Sequence, residues 1–396
     1  MLKNKDELRK WAKTELDNCI KFWLEHGLDR KYGGMYTCLD KEGKVFSTDK
    51  SIWMQGRAAW TFAALCNQYG VKDEWLEASK SCLDFLEKYG KNHAASERFY
   101  FTVTEDGRPL RQRRYYFSEG FYVLANAEYY GVTKDRLALE RAREVYDKIW
   151  ELDHGAKDPV NMPPKVEPST RKSRSLAAPM IYLNLTSTLY KYDEEKRELY
   201  RERAAKCREE ILLHHKPELA VTLETVAPDG SCQLDTTAGR VVNPGHDMEC
   251  AWFLLEYSEI SSEFKEENLE LAERIYEFAY AKGWDNEFSG LLYFVDALGF
   301  PPEAYEHDMK LWWPHNELLI ASLMLYKLTG KERYAEVFSE TQQYCDKYFS
   351  DKEYGEWWGY LRRDNKPTLP ACKGSTFKGP FHVPRCLMIL DKLLQD

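Results

Sequence analysis

The sequence predicts an all-α fold: an (α/α)6 barrel of about twelve helices, with short β-hairpins at the end that carries a cleft. Three observations predict it. Apolar residues recur at three- and four-residue steps over most of the chain. The helical segments come in pairs, split by a glycine or a short charged link. Between pairs lie aromatic or β-branched runs that end in turn-forming Asp, Asn or Gly.

The first helix covers 5–26, where Leu8, Trp11, Ala12, Leu16, Ile20, Trp23 and Leu24 share one face. Segments 51–70 and 72–89 break at Gly70, and 115–131 and 133–151 repeat the pairing around Gly131. The segments 174–190 and 193–215 form the next pair, followed by 245–260 and 264–282. Segments 313–329 and 331–349 split at Gly330, and a last helix occupies 381–394. Hairpin signals lie at Tyr32–Phe46, Phe99–Gly107, Val221–Gly230, Gly290–Val295 and Trp357–Asn365.

The unit is helix, hairpin, helix, recurring at roughly 60–70 residues without strong sequence self-similarity. Six units closed on themselves give a double ring with the even-numbered helices inside. An open solenoid of helical hairpins is the alternative. No composition shift marks a boundary, so residues 1–396 are expected to form a single catalytic domain. Residues 152–173, with Pro159, Pro163, Pro164 and Pro168, are expected to form a mobile loop over the cleft.

The net charge of −9 and the lack of a basic block beyond Arg111–Arg114 argue against nucleic-acid binding. No stretch has the ~18 uninterrupted apolar residues of a membrane span, and the N-terminus has no apolar signal core. The ten cysteines are scattered without a Cys-x-x-Cys pair, which is expected of reduced thiols in a cytoplasmic protein. With 12 Trp and 26 Tyr the chain has rings to spare for stacking on sugar C–H faces.

Polar groups recur at the starts of the expected inner helices. Asn243-Pro244-Gly245-His246-Asp247-Met248-Glu249 opens one, with Glu249 and Trp252 on the face of His246. Phe377-Lys378-Gly379-Pro380-Phe381-His382-Val383-Pro384-Arg385-Cys386 opens another. Trp312-Trp313-Pro314-His315-Asn316-Glu317 opens a third, with His315 and Glu317 two apart and so pointing apart. Arg57 sits in a small, apolar run between Trp53 and Trp60. Structural roles compete with functional ones: Arg57 as an internal ion-pair partner, Glu249 as a capping-box acceptor, Trp312 and Trp313 as core. Four such constellations at equivalent places in a repeat favour a site. His26, His93, His154, His214, His215 and His307 lack such context and are expected at the surface or in packing.

There is no Gly-rich dinucleotide loop, phosphate loop, His-Glu-x-x-His or Gly-x-Ser-x-Gly. What remains is cofactor-free acid–base chemistry by two histidines and one or two carboxylates. Two bases on opposite sides of a cleft suit inversion of the carbon next to an aldehyde. One base removes the proton from one face, the other returns it to the opposite face, and Arg57 holds the enolate oxygen.

The stretches around Arg57, Pro244–Trp252, Trp312–Glu317, Trp357–Arg362 and Phe377–Cys386 resemble the N-acylglucosamine 2-epimerase family, whose animal members are also called renin-binding proteins. The resemblance spans nearly the whole chain. It implies an (α/α)6 barrel, commonly a homodimer, that interconverts N-acetylglucosamine and N-acetylmannosamine. It implies His246 and His382 as the catalytic acid–base pair, with His382 abstracting the C2 proton in one direction. Arg57, Glu249 and Glu317 would bind or polarise the open-chain sugar, and Trp252, Trp313 and His315 complete the expected substrate contacts. No metal and no cofactor is required for the chemistry; some members respond to ATP or other nucleotides as allosteric activators. The wider superfamily supplies the alternative: an epimerase or aldose–ketose isomerase of a non-acetylated sugar, of the cellobiose 2-epimerase or mannose isomerase type. A hydrolase working through Glu249 or Glu317, and a non-catalytic sugar-binding protein, are further alternatives.

Overall fold

The computed structural model describes residues 4–93, 98–158, 160, 162 and 166–395. Its α-helices are α1 (Lys5–His26), α2 (Ile52–Tyr69), α3 (Asp73–Phe85), α4 (Phe117–Thr133), α5 (Arg136–Asp153), α6 (Ala177–Tyr192), α7 (Arg197–Leu212), α8 (Thr237–Arg240), α9 (Pro244–Ile260), α10 (Lys265–Gly283), α11 (Trp312–Thr329), α12 (Glu332–Tyr348) and α13 (His382–Gln395). α8 is a single turn; the other twelve are the expected helices. The segment expected over 72–89 ends in a π-helical turn, Leu86–Gly90.

The ring closes. α2 packs on α4, α4 on α6, α6 on α9, α9 on α11, α11 on α13, and α13 returns to α2. Each inner helix carries one outer helix: α1 lies on α13, α3 on α2, α5 on α4, α7 on α6, α10 on α9 and α12 on α11. Burial follows from this layering. α5 is outer and hides one stripe, Ala138, Leu139, Ala142, Val145, Tyr146 and Ile149. α11 is inner, and every residue from Trp312 to Leu323 is buried. A closed ring excludes the open solenoid.

Short ladders fix the inner helices at one end. Residues 50–51, 174–175, 241–242 and 310–311 each pair in a ladder and run straight into α2, α6, α9 and α11. Three of the described ladders join consecutive strands as hairpins: 91–92 with 98–99, 98–103 with 109–112, and 215–216 with 221–222. The others differ from the expected hairpins, because they join connections far apart in sequence, such as 241–242 with 295–296 and 310–311 with 360–361. Residues 32–46 form only isolated bridges. Tying neighbouring units together needs cross-connection pairing, which a local turn signal does not encode.

One turn recurs three times with a sequence signal: Asp29-Arg30-Lys31-Tyr32-Gly33-Gly34, Asp285-Asn286-Glu287-Phe288-Ser289-Gly290 and Asp351-Lys352-Glu353-Tyr354-Gly355-Glu356. In each, one aspartate oxygen accepts from the amides two and three residues on, and the last two residues have positive φ. In each, a buried lysine pairs with the aspartate: Lys50 at 2.6 Å, Lys310 at 2.7 Å and Lys373 at 2.7 Å. Lys50 and Lys310 stand in the ladders just before α2 and α11, so these pairs anchor the inner helix starts.

Of the connection expected to cover the cleft, residues 159, 161 and 163–165 lie outside the described residues. None of its described residues lines the cavity, and Asp158 is an ion-pair partner of buried Arg98 instead.

Candidate active site

The first turns of all six inner helices converge on a cavity of about 570 Å³, within the usual range for small-molecule sites. α2 contributes Trp53 and Arg57, α4 Phe117 and Phe121, α6 Met180 and Asn184, α9 His246 and Glu249, α11 Trp313, and α13 His382 and Arg385.

Arg57 is set by a close helix contact. A Cβ at Gly56 would lie 2.8 Å from the Phe121 backbone, so only glycine lets α2 approach α4 this closely. The Arg57 guanidinium then stacks 4.2 Å from the Phe121 ring centroid and 4.9 Å from that of Phe381. Nη1 donates a long bond of 3.5 Å to the Phe377 carbonyl, and buried Nε has no partner. Burial pushes its pKa down to about 9, with Glu249 opposing. It stays cationic at pH 7 with donors to spare.

His246 stands at the start of α9, where the Asn243 side chain accepts its amide at 3.2 Å and Pro244 occupies the first turn. A Cβ at Gly245 would meet the Trp313 ring at 2.6 Å, so the glycine lets Trp313 approach. The Trp313 ring centroid lies 5.3 Å from His246 and 5.8 Å from His382. His246 Nδ1 bonds Glu224 at 2.8 Å. Glu224 is held by its backbone, which bonds Val241 and Leu176, and by the Ser175 hydroxyl at 3.1 Å. Burial alone would depress His246, but the Glu224 carboxylate holds its pKa above the ordinary histidine value.

His382 opens α13. Its Nδ1 lies 2.7 Å from Glu317, leaving Nε2 as the second nitrogen. Glu317 is fully buried and also accepts from Trp252 Nε1 at 2.8 Å. Arg385 Nη2 donates to Glu317 at 2.7 Å and to Glu249 at 2.6 Å. A carboxylate partner ordinarily raises a histidine. Here burial, Arg57 and Arg385 outweigh it, and His382 lies well below the ordinary value. Ligand atoms of Glu249, Glu317 and His382 lie within 4.8 Å of one another, a set that could hold a metal. The Arg385 guanidinium already stands against both carboxylates as their cation.

Of the residues expected at the site, Arg57, His246, Glu249, Trp313 and His382 line the cavity. Glu317 and Trp252 lie behind this lining and hold it in place. His315 is not brought to the cleft, which corrects its assignment as a substrate contact. It is fully buried, its Nδ1 bonds the Leu311 carbonyl at 2.7 Å, and its Nε2 accepts from the Leu291 amide at 2.9 Å. It stacks on Tyr344, and burial pushes its pKa down to about 3. Two residues after Trp313 on a helix, it faces the outer layer.

Sequence reasoning missed Glu224 as a site residue. Its signal was an acid inside the run Val221–Val226, otherwise apolar and β-branched. Tyr293 and Asn184 also line the cavity, with no motif to mark them.

A family model described as N-acylglucosamine 2-epimerase (GlcNAc 2-epimerase) matches residues 34–383. The chain is 38% identical over 401 residues to the N-acylglucosamine 2-epimerase of Bos taurus, covering 100% of this chain and 94% of the relative. It is 37% identical over 399 residues to that of Mus musculus, with the same coverage. Among solved structures, the cellobiose 2-epimerase of Spirochaeta thermophila matches with a TM-score of 0.84 at 22% identity, covering 99% of this chain and 98% of that one. That likeness is one of fold.

Proposed function

The chain belongs to the N-acylglucosamine 2-epimerase family, and on that premise we propose that it interconverts N-acetylglucosamine and N-acetylmannosamine by proton transfer at C2 of the open-chain sugar. The observation that carries the reading is the pair of imidazoles flanking Trp313 in one cavity, with basicities displaced in opposite directions. His382, neutral at pH 7, takes the C2 proton of N-acetylglucosamine through Nε2. Charge passes to the aldehyde oxygen, which Arg57 holds with its spare donors. His246, protonated beside Glu224, returns a proton to the opposite face. In the reverse direction the roles exchange. Glu249 meets the sugar, while Glu317 and Arg385 hold His382 in its tautomer. Trp313 supplies a ring to the sugar face, and Trp252 acts through Glu317.

These residues supply acid, base and oxyanion support without a cofactor. Nucleotide activation, a homodimer and a cytoplasmic setting are proposed with the family. The ten cysteines, all free thiols, suit a reducing compartment, and no helix among the described residues is long and apolar enough to cross a membrane. A relative named cellobiose 2-epimerase, from Dictyoglomus turgidum, stands at 23% identity, well below the amino-sugar enzymes.

The test is incubation with N-acetylglucosamine in D2O, with and without ATP. Deuterium should enter C2 of N-acetylmannosamine. If no exchange and no epimer appear under either condition, the reading is wrong. A panel including mannose and cellobiose separates the non-acetylated alternative, and sedimentation measures the assembly.

A further inference from the structure

The barrel has a second chamber beyond the reaction site. The inward stripes of the inner helices run on past the cleft, through Glu249, Trp252 and Glu256 on α9 and Arg385, Met388 and Lys392 on α13. Glu256, seven residues after Glu249, stands about 10 Å further along the helix. These far turns enclose a cavity of about 890 Å³. Leu124, Asn184, Phe381 and Arg385 line both spaces and form the partition between them.

Packing does not account for the polar groups of this chamber. Glu256 has no hydrogen bond or ion pair among the described residues. It also sits one turn from the end of α9, where the helix dipole disfavours an acid. Burial pushes its carboxyl up to about 7 against the pull of Arg385, Lys191 and Lys392, so near neutrality it can donate or accept. The buried Ser187 hydroxyl has no partner, not even the carbonyl one turn back that a helical serine can take. Arg385, 4% exposed, commits Nη2 to Glu249 and Glu317, and its Nε is unpartnered. The half-buried Trp60 ring, edge-to-face with Phe381 at 5.2 Å between centroids, completes the wall. Three carboxylates and four cations line the chamber, so neither sign dominates and neither an anion nor a metal is selected. No histidine is among the lining residues, so the base pair of the reaction site has no counterpart here.

A carboxyl, an amide, hydroxyls and an indole ring, without an excess of either charge, are the complement of a neutral polyol. Its hydroxyls take donors and acceptors together, and its C–H face takes the ring. We propose that this chamber is a second, non-catalytic binding site for a neutral, hexose-sized sugar, held by Glu256, Asn184, Ser187 and Thr188 against Trp60. Its ligand meets the far side of the partition, whose Arg385 also holds Glu249 and Glu317.

Equilibrium dialysis counts the sites, with radiolabelled methyl glycosides of N-acetylglucosamine and glucose as probes. A methyl glycoside cannot open its ring, so neither probe is turned over. The wild type should bind two molecules of at least one probe per chain. Thr188→Phe fills the chamber and should bind one fewer. Glu256→Leu should weaken the second site on the order of tenfold. It should hold or raise the melting temperature, because the carboxyl has no partner to lose. An equal count in the wild type and Thr188→Phe overturns the site, as does undiminished binding by Glu256→Leu. The comparison needs no turnover and reads only the difference between proteins with the same cleft, so it stands apart from the epimerase reading.

Discussion

His246 and His382 occupy equivalent places, the first turns of inner helices α9 and α13, and each gives Nδ1 to a glutamate at 2.8 and 2.7 Å. Their basicities nonetheless move in opposite directions. The difference lies in what holds the glutamate. Glu224 has a serine hydroxyl and backbone around it, so its charge acts on His246. Glu317 is tied to Arg385 and Trp252, so its charge is largely spent before it reaches His382, while Arg57 and Arg385 oppose a second positive charge. A histidine–carboxylate bond does not by itself fix an imidazole's charge; the carboxylate's other partners do.

The largest effect is expected from removing the cation that makes the two corners differ. Arg385→Met leaves Glu249 and Glu317 buried without their partner and should cost about 3–5 kcal/mol of stability, read by denaturant unfolding. If stability holds, Arg385 does not neutralise these acids. Next come the bases. His382→Ala and His246→Ala should each lower turnover on the order of 10²-fold or more. They should differ in isotope exchange: His382→Ala blocks deuterium entry into N-acetylglucosamine, and His246→Ala blocks it in N-acetylmannosamine. The same pattern in both variants would break the assignment of faces.

Gly245→Ala pushes Trp313 from between the histidines, at about 1–3 kcal/mol, and should raise KM more than Gly283→Ala, which meets Pro244 rather than the lining. The smallest effect is the sharpest. From N-acetylglucosamine, kcat/KM requires His382 neutral and His246 protonated. The rate therefore falls on the acid side as His382 gains a proton, below the ordinary histidine range, and on the alkaline side as His246 loses one, above it. Glu224→Gln removes the charge that offsets burial of His246. The alkaline limb should move to lower pH while the acid limb stays. Movement of the acid limb alone would reverse the roles.

The strings around His246, Glu317 and His382 were legible because each is one helix start, where capping residues, proline and glycine leave a local mark. His315 was misplaced for the same reason: proximity in the string hid the turn of α11 that points it outward. Glu224 was missed because its partner stands 22 residues on, across a ladder. The Arg385–Glu249 contact spans 136 residues.

By itself the sequence determined the twelve long helices, with ends within four residues of those observed, their order in two layers, and the groups presented at the inner helix starts. Helical period and caps act over a few residues, so they are written locally. Only the tertiary structure decided that the ring closes from α13 to α2, that His315 leaves the cleft, and which carboxylate is free to act on which histidine. Those depend on burial and on charges brought together from distant units, and a charge's effect is set by its surroundings, not by its place in the string.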